Sequence, residues 1–120
     1  MNRDNYVPIE QLKKFKEFYD NQEGRKFPCS NQYVRCGIIT QDKEKAISFM
    51  ANKNVVKKIV HKCFIEWTLD NNEIWIWSEW GKPVNGCRFY KVAVDVDIDK
   101  NIFDFVRPCC ANYCCSVELI

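Results

Sequence analysis

The fold is decided by the stretch Cys63-Phe64-Ile65-Glu66-Trp67-Thr68-Leu69-Asp70-Asn71-Asn72-Glu73-Ile74-Trp75-Ile76-Trp77-Ser78-Glu79-Trp80. Cys63, Ile65, Trp67 and Leu69 alternate with Phe64, Glu66 and Thr68, the period of two that sends successive side chains to opposite faces of a strand. Asp70 to Glu73 is turn chemistry, because short polar side chains hydrogen-bond their own backbone there. The alternation resumes from Ile74 to Trp80. Two such runs about a turn predict a β-hairpin. Trp75 and Trp77 share one face, and Ile74 and Ile76 share the other. With the isoleucine face turned inward, the indoles stay in solvent, where large aromatic rings serve as contact anchors; with a helix over each face, they belong to the core.

Outward from the hairpin, Gly81 to Gly86 predicts a second turn and Cys87 to Val96 a third strand, completing a meander. Upstream, Val55, Val56, Ile59 and Val60 recur at i, i+1, i+4 and i+5, which predicts a short helix with Lys57, Lys58 and Lys62 outside. Thr40 or Asp42 is placed to cap a helix burying Ala46, Ile47, Phe49 and Met50. A strand is predicted over Tyr33 to Ile39. Over residues 8–20, Pro8 suits a helix start, and Ile9, Leu12, Phe15 and Tyr19 follow at helical spacing. Asp99 caps a helix burying Ile102, Phe103, Phe105 and Val106, which Pro108 should end. Tyr113 to Leu119 is the last strand. The order α-β-α-β-β-β-α-β predicts one α+β domain over residues 1–120, with helices on one face of a mainly antiparallel sheet. A strand–helix–strand crossover would add a parallel pair at its edge.

The 120 residues are 47% hydrophobic and 28% charged, which excludes disorder for the chain as a whole. The longest apolar runs, such as Val92-Ala93-Val94, fall far short of the roughly 20 residues a membrane helix needs. The net charge of +2 divides unevenly. Residues 1–62 hold 13 Lys/Arg against 7 Asp/Glu, a net of +6, and residues 63–120 hold 5 against 9, a net of −4. Such a split predicts a basic and an acidic surface unless the halves interleave. No apolar run follows Met1-Asn2-Arg3-Asp4, so no signal peptide is expected. The eight cysteines are then expected as thiols in a reducing cytoplasm. Asn, Lys and Ile supply 35 of the 120 residues, the usage expected of an AT-rich bacterial, phage or viral genome.

Three constellations bear on chemistry. Cys110 and Cys114 have the spacing of half a zinc site, whose other half would come from Cys29 and Cys36 or from His61. The competing expectation is that the cysteines fill small apolar positions. Asp95, Asp97 and Asp99 alternate, so on one strand they would share a face and repel unless a cation such as Mg²⁺ neutralised them. The bland alternative is that the strand ends near Val96 and Asp99 caps a helix. Val92-Ala93-Val94-Asp95 also resembles the apolar-strand-then-acid element of P-loop ATPases. The phosphate-cradling Gly-x-x-x-x-Gly-Lys-Ser/Thr loop is absent from the sequence, so nucleotide hydrolysis is not expected. The third constellation is the tryptophans, Trp67, Trp75, Trp77 and Trp80.

One His, no Ser-His-Asp pattern and no HExxH point away from an enzyme. The expected function is a small non-enzymatic binding protein acting by stoichiometric protein contact. A phage or mobile-element inhibitor of a host defence nuclease, of the anti-CRISPR type, is the expected kind. Trp75, Trp77, Trp80 and Arg88 would form the surface, with Lys57 and Lys58 as steering charge. Two other classes compete: a single-stranded nucleic-acid binder stacking bases on the same indoles, and a metal-dependent enzyme using Asp95 and Asp97.

Overall fold

The alternating runs about Asp70 do form antiparallel strands, and the rest of the sheet assembles around them. The computed structural model describes residues 5–21, 33–79, 88–110 and 114–120. The elements are α1 (Ile9–Asp20), β1 (Val34–Ile39), α2 (Lys43–Met50), β2 (Val55–Val60), β3 (Phe64–Leu69), β4 (Glu73–Ser78), β5 (Lys91–Val94), α3 (Lys100–Cys110) and β6 (Ser116–Leu119). The six strands form one sheet in the order β2-β3-β4-β1-β5-β6. The class is α+β, as expected.

Local chemistry accounts for the element ends. Asp42 accepts from the backbone N–H groups of Glu44 and Lys45 and caps α2. Asp99 accepts from Asn101 N–H at 2.8 Å and caps α3. Asn72 turns the β3–β4 corner with φ of 69°, a left-handed conformation that Asn tolerates.

Several expectations are corrected. Val55–Val60 is a strand, not a helix. Four of its six residues are β-branched, which suits a strand, and the run is too short to hold as a helix. The described strand at Lys91–Val94 does not extend the meander, because β5 pairs with β1 in parallel and not with β4. The antiparallel meander is β2-β3-β4. The sheet is mixed: β1 pairs in parallel with both β4 and β5, and β5 pairs in parallel with β6. The expected edge crossover is present as β5-α3-β6. Finally, Pro108 does not end α3, which continues to Cys110, and Ile47 and Phe105, both expected in the core, are exposed.

The helices lie on both faces, not on one as expected, because α2 packs opposite α1 and α3. Leu12 and Tyr19 of α1 and Ile102, Phe103, Val106 and Cys110 of α3 pack with Ile39, Val92, Val94 and Val117. Ala46 and Met50 of α2 pack on the other face with Cys36, Ile38, Ile65, Trp67, Trp75 and Trp77. The central strands are therefore covered twice, which explains the unbroken apolar run of β5. On β1, Gly37 lies under Phe89. A Cβ there would stand 2.9 Å from the ring, so a larger residue would have to displace Phe89.

Candidate functional site

The expected aromatic surface is not at the surface. Trp75 and Trp77 are 2% and 6% exposed. Phe49 of α2 meets Trp75 edge-on at 5.1 Å between ring centroids. Both indole N–H groups are used inside: Trp75 Nε1 donates to Glu73 Oε1 and Trp77 Nε1 to the Thr40 carbonyl, each at 2.9 Å. Trp67 is buried in the same layer. These rings can neither stack bases nor anchor a partner. Trp80 lies outside the described residues. Arg88 is exposed just before β5, which β3, β4 and β1 separate from β2, so Arg88 does not join Lys57 and Lys58.

The cysteine set does not converge either. Cys36 is buried on the α2 face, whereas Cys110 and Cys114 are buried on the α1–α3 face. One tetrahedral zinc site cannot draw on both faces, so the combination of Cys36 with Cys110 and Cys114 is corrected. Cys29 lies outside the described residues. A hydrogen bond with the Cys114 thiol, and then burial, push the Cys110 thiol well above its ordinary range. Burial does the same to Cys36. His61 stacks on Phe64 at 4.1 Å and stands 3.5 Å from Glu66. Among the described residues no three His, Cys, Asp or Glu side chains are grouped to hold a metal.

Asp95 and Asp97 do come together, at the carboxyl ends of β1 and β5. The chain leaves β1 for α2 on one face and β5 for α3 on the other. Such a switch point opens a crevice in parallel sheets. Here it is a cleft of about 300 Å³ lined by Tyr6, Gln41, Asp42, Lys45, Asp95, Asp97 and Ile98. Lys45 Nζ donates to Asp95 Oδ1 at 2.6 Å, and Thr40 Oγ1 donates to Oδ2 at 2.6 Å. The Asp97 N–H adds a third bond to Oδ1 at 2.8 Å. Burial alone would raise the Asp95 pKa, but the bonds from Lys45, Thr40 and Asp97 outweigh it and hold the carboxyl below its usual range. The cation that neutralises this acidic stretch is therefore Lys45. Asp95 is a fixed anion tying α2 to the sheet, not a proton acceptor at neutral pH. It joins the basic half of the chain to the acidic half, so the two halves interleave. A similar tie links Glu73 to Lys91 at 2.6 Å. Burial opposes ionisation of Glu73, yet the bonds from Lys91 and Trp75 leave its pKa lowered.

The feature that sequence reasoning missed is the state of the two sheet edges. At the β6 edge, α1 supplies the missing partner. Lys16 Nζ donates to the Val117 carbonyl at 2.7 Å, and Asp20 Oδ1 accepts from the Val117 N–H at 3.0 Å. Two side chains thus imitate a neighbouring strand. At the β2 edge, no described strand pairs with the outer side. Val56 and Val60 are 65% and 66% exposed, and Lys57 and Lys58 are exposed as well. The His61 N–H donates to the Phe64 carbonyl at 2.8 Å. With the register of β2 on β3, the alternation of an antiparallel ladder turns the backbone of Lys57 and Ile59 toward β3 and that of Lys58 and Val60 outward. Lys57 and Lys58 had been singled out in sequence, but as the outside of a helix. Hydrogen-bond partners 97 or more residues apart carry no signal in a linear reading.

Comparison with known proteins adds little to this geometry. The chain is 32% identical over 53 residues to the carbamoyl phosphate synthase small chain of Bartonella quintana (strain Toulouse), a match covering 44% of this chain and 13% of that protein. So small a share of that protein carries neither its activity nor its substrates across. No family model matches the chain. No solved structure matches it.

Proposed function

We propose that the chain works without turnover, by stoichiometric contact with a protein partner that adds an extended, acidic strand to the outer side of β2. The observation that carries this reading is the contrast between a capped β6 and an open β2. Exposed strand edges are templates for pairing, and natural proteins usually blunt them. Strand addition draws affinity from backbone hydrogen bonds and specificity from alternate side chains. Lys57 and Lys58 select the partner's charge. A second copy centred on Lys58 would set two ammonium groups directly opposite each other, which is unfavourable. A strand bearing Asp or Glu would be drawn in and paired.

An inhibitor of a host defence nuclease remains the finer form of this proposal, with a constraint. A mimic of nucleic acid needs an acidic face, and β2 is basic, so the target would be an acidic strand outside the nuclease's substrate channel. The thiols of Cys36, Cys63 and Cys110 fit a reducing cytoplasm. Among the described residues no helix is long and apolar enough to cross a membrane.

The test is amide hydrogen exchange with a synthetic strand peptide alternating Val and Glu, and with a control alternating Val and Lys. The acidic peptide should slow exchange at Lys58 and Val60, and the basic one should not. Lys58→Pro should abolish the effect while the fold persists, because that N–H faces away from β3 and proline is tolerated at such edge positions. Binding that survives Lys58→Pro, or protection confined to other elements, would overturn the proposal.

A further inference from the structure

At the opposite end of the sheet, α1 and α3 leave a cleft of about 330 Å³ between them, lined by Gln11, Lys14, Phe15, Phe18, Tyr19, Phe103 and Arg107. That volume falls within the range of small-molecule sites, which pair apolar walls with a few polar groups. Here the apolar walls are rings. Phe15 meets Tyr19 at 4.9 Å and Phe103 at 5.0 Å, and Phe18 meets Tyr19 at 5.0 Å, all edge to face. Phe18 is 54% exposed, an unusual position for so large an apolar side chain.

The charge of the cleft is one-sided. Among the described residues, Lys14 and Arg107 are its charged lining residues and no carboxylate lines it. The Arg107 guanidinium lies 6.0 Å from the Phe103 ring centroid. Among the described residues it pairs with Asp104, 3.8 Å away and well exposed, and that pair yields readily to a better-placed anion. A guanidinium fork suits a carboxylate or sulfonate, and an ammonium adds a point charge.

We infer that this cleft binds a small amphiphilic organic anion, with an aromatic or alkyl body among the rings and a carboxylate or sulfonate head between Lys14 and Arg107. The site does not depend on the reading of β2, since it is built from α1 and α3 alone.

The full chain would be titrated with 8-anilinonaphthalene-1-sulfonate and with the uncharged N-phenyl-1-naphthylamine, with binding followed by fluorescence and amide chemical shifts. The sulfonate should saturate at one probe per molecule, with shifts centred on α1 and α3. The double variant Lys14→Glu/Arg107→Glu should weaken the sulfonate by about tenfold or more, since reversing two charges removes roughly a factor of ten in affinity or better. It should leave the neutral probe unchanged. Phe18→Ala should weaken both probes, and Val60→Thr neither. Non-saturating binding, an equal effect of the charge reversals on both probes, or shifts centred on β2 would overturn the inference. So would a peptide alternating Val and Glu that displaced the sulfonate, because the cleft would then be a protein-docking groove.

Discussion

The two ends of this sheet solve the same physical problem in opposite ways. Both β2 and β6 present backbone groups that no further described strand satisfies. At β6 the ammonium of Lys16 and the carboxylate of Asp20 engage Val117 from α1. At β2 no described strand pairs with the outward groups of Lys58 and Val60, whose exposed side chains are one basic and one apolar. The difference teaches that the open edge is not a general consequence of a small sheet. The chain has the means to close an edge and uses them at one end.

The largest effect on this contrast should come from unseating α1. Leu12 is fully buried against the sheet, so Leu12→Ala should cost about 2–5 kcal/mol, read as a lower denaturant midpoint. If it costs under 1 kcal/mol, roughly the scale of a surface change, α1 does not hold the β6 end.

Acid should act next, on the ties between the two edges. The carboxyls of Asp95 and Glu73 are held below their ordinary values of 3.8 and 4.5 by their hydrogen bonds, against the opposing effect of burial. The unfolded chain therefore takes up protons first as pH falls. The stabilisation is complete above the ordinary values and is lost as pH drops through the lowered, folded ones. Lys91 runs the other way. Burial lowers its pKa, but the bond to Glu73 prevails and raises it above 10.5. Its contribution is full below 10.5 and is lost as pH rises through the raised value. Stability measured against pH should stay flat between these limits for these groups. In Lys45→Met the acid limb should move to higher pH.

A smaller change should follow from opening the closed edge. Asp20→Ala leaves the Val117 N–H without its acceptor and should cost about 1–2 kcal/mol, whereas Asp20→Asn should cost less. Sedimentation of Asp20→Ala should also show more self-association than the parent chain. The smallest effect belongs to β2 itself. Val60→Thr should change stability by no more than about 0.5 kcal/mol, as expected of an exposed position, while weakening strand addition.

Much of the architecture was legible in the residues. The hairpin, the caps at Asp42 and Asp99, the helix from Ile9 and the crossover through α3 all follow from local periodicity and turn chemistry. β2 was misread because a run of six apolar and basic residues fits either period, and only its β-branched content argues for a strand. The two tryptophans were placed on one face correctly. Whether that face stays wet depends on β1 entering between β4 and β5 and carrying α2 over it. That is a tertiary fact, with a faint trace in the unbroken apolar residues of Ile38-Ile39 and Val92-Ala93-Val94. The aromatic cleft between α1 and α3 left a partial trace, since Phe15, Tyr19 and Phe103 were all expected as core and Phe18 was not noticed.

The clamp of Lys16 and Asp20 on Val117 has a further consequence for assembly. Filaments built by strand addition need a donor and an acceptor edge on every subunit, and open-ended growth follows when both are present. With Val117 of β6 engaged by α1, a strand added at β2 as proposed would meet no second open edge among the described strands, and the complex would end as a discrete pair.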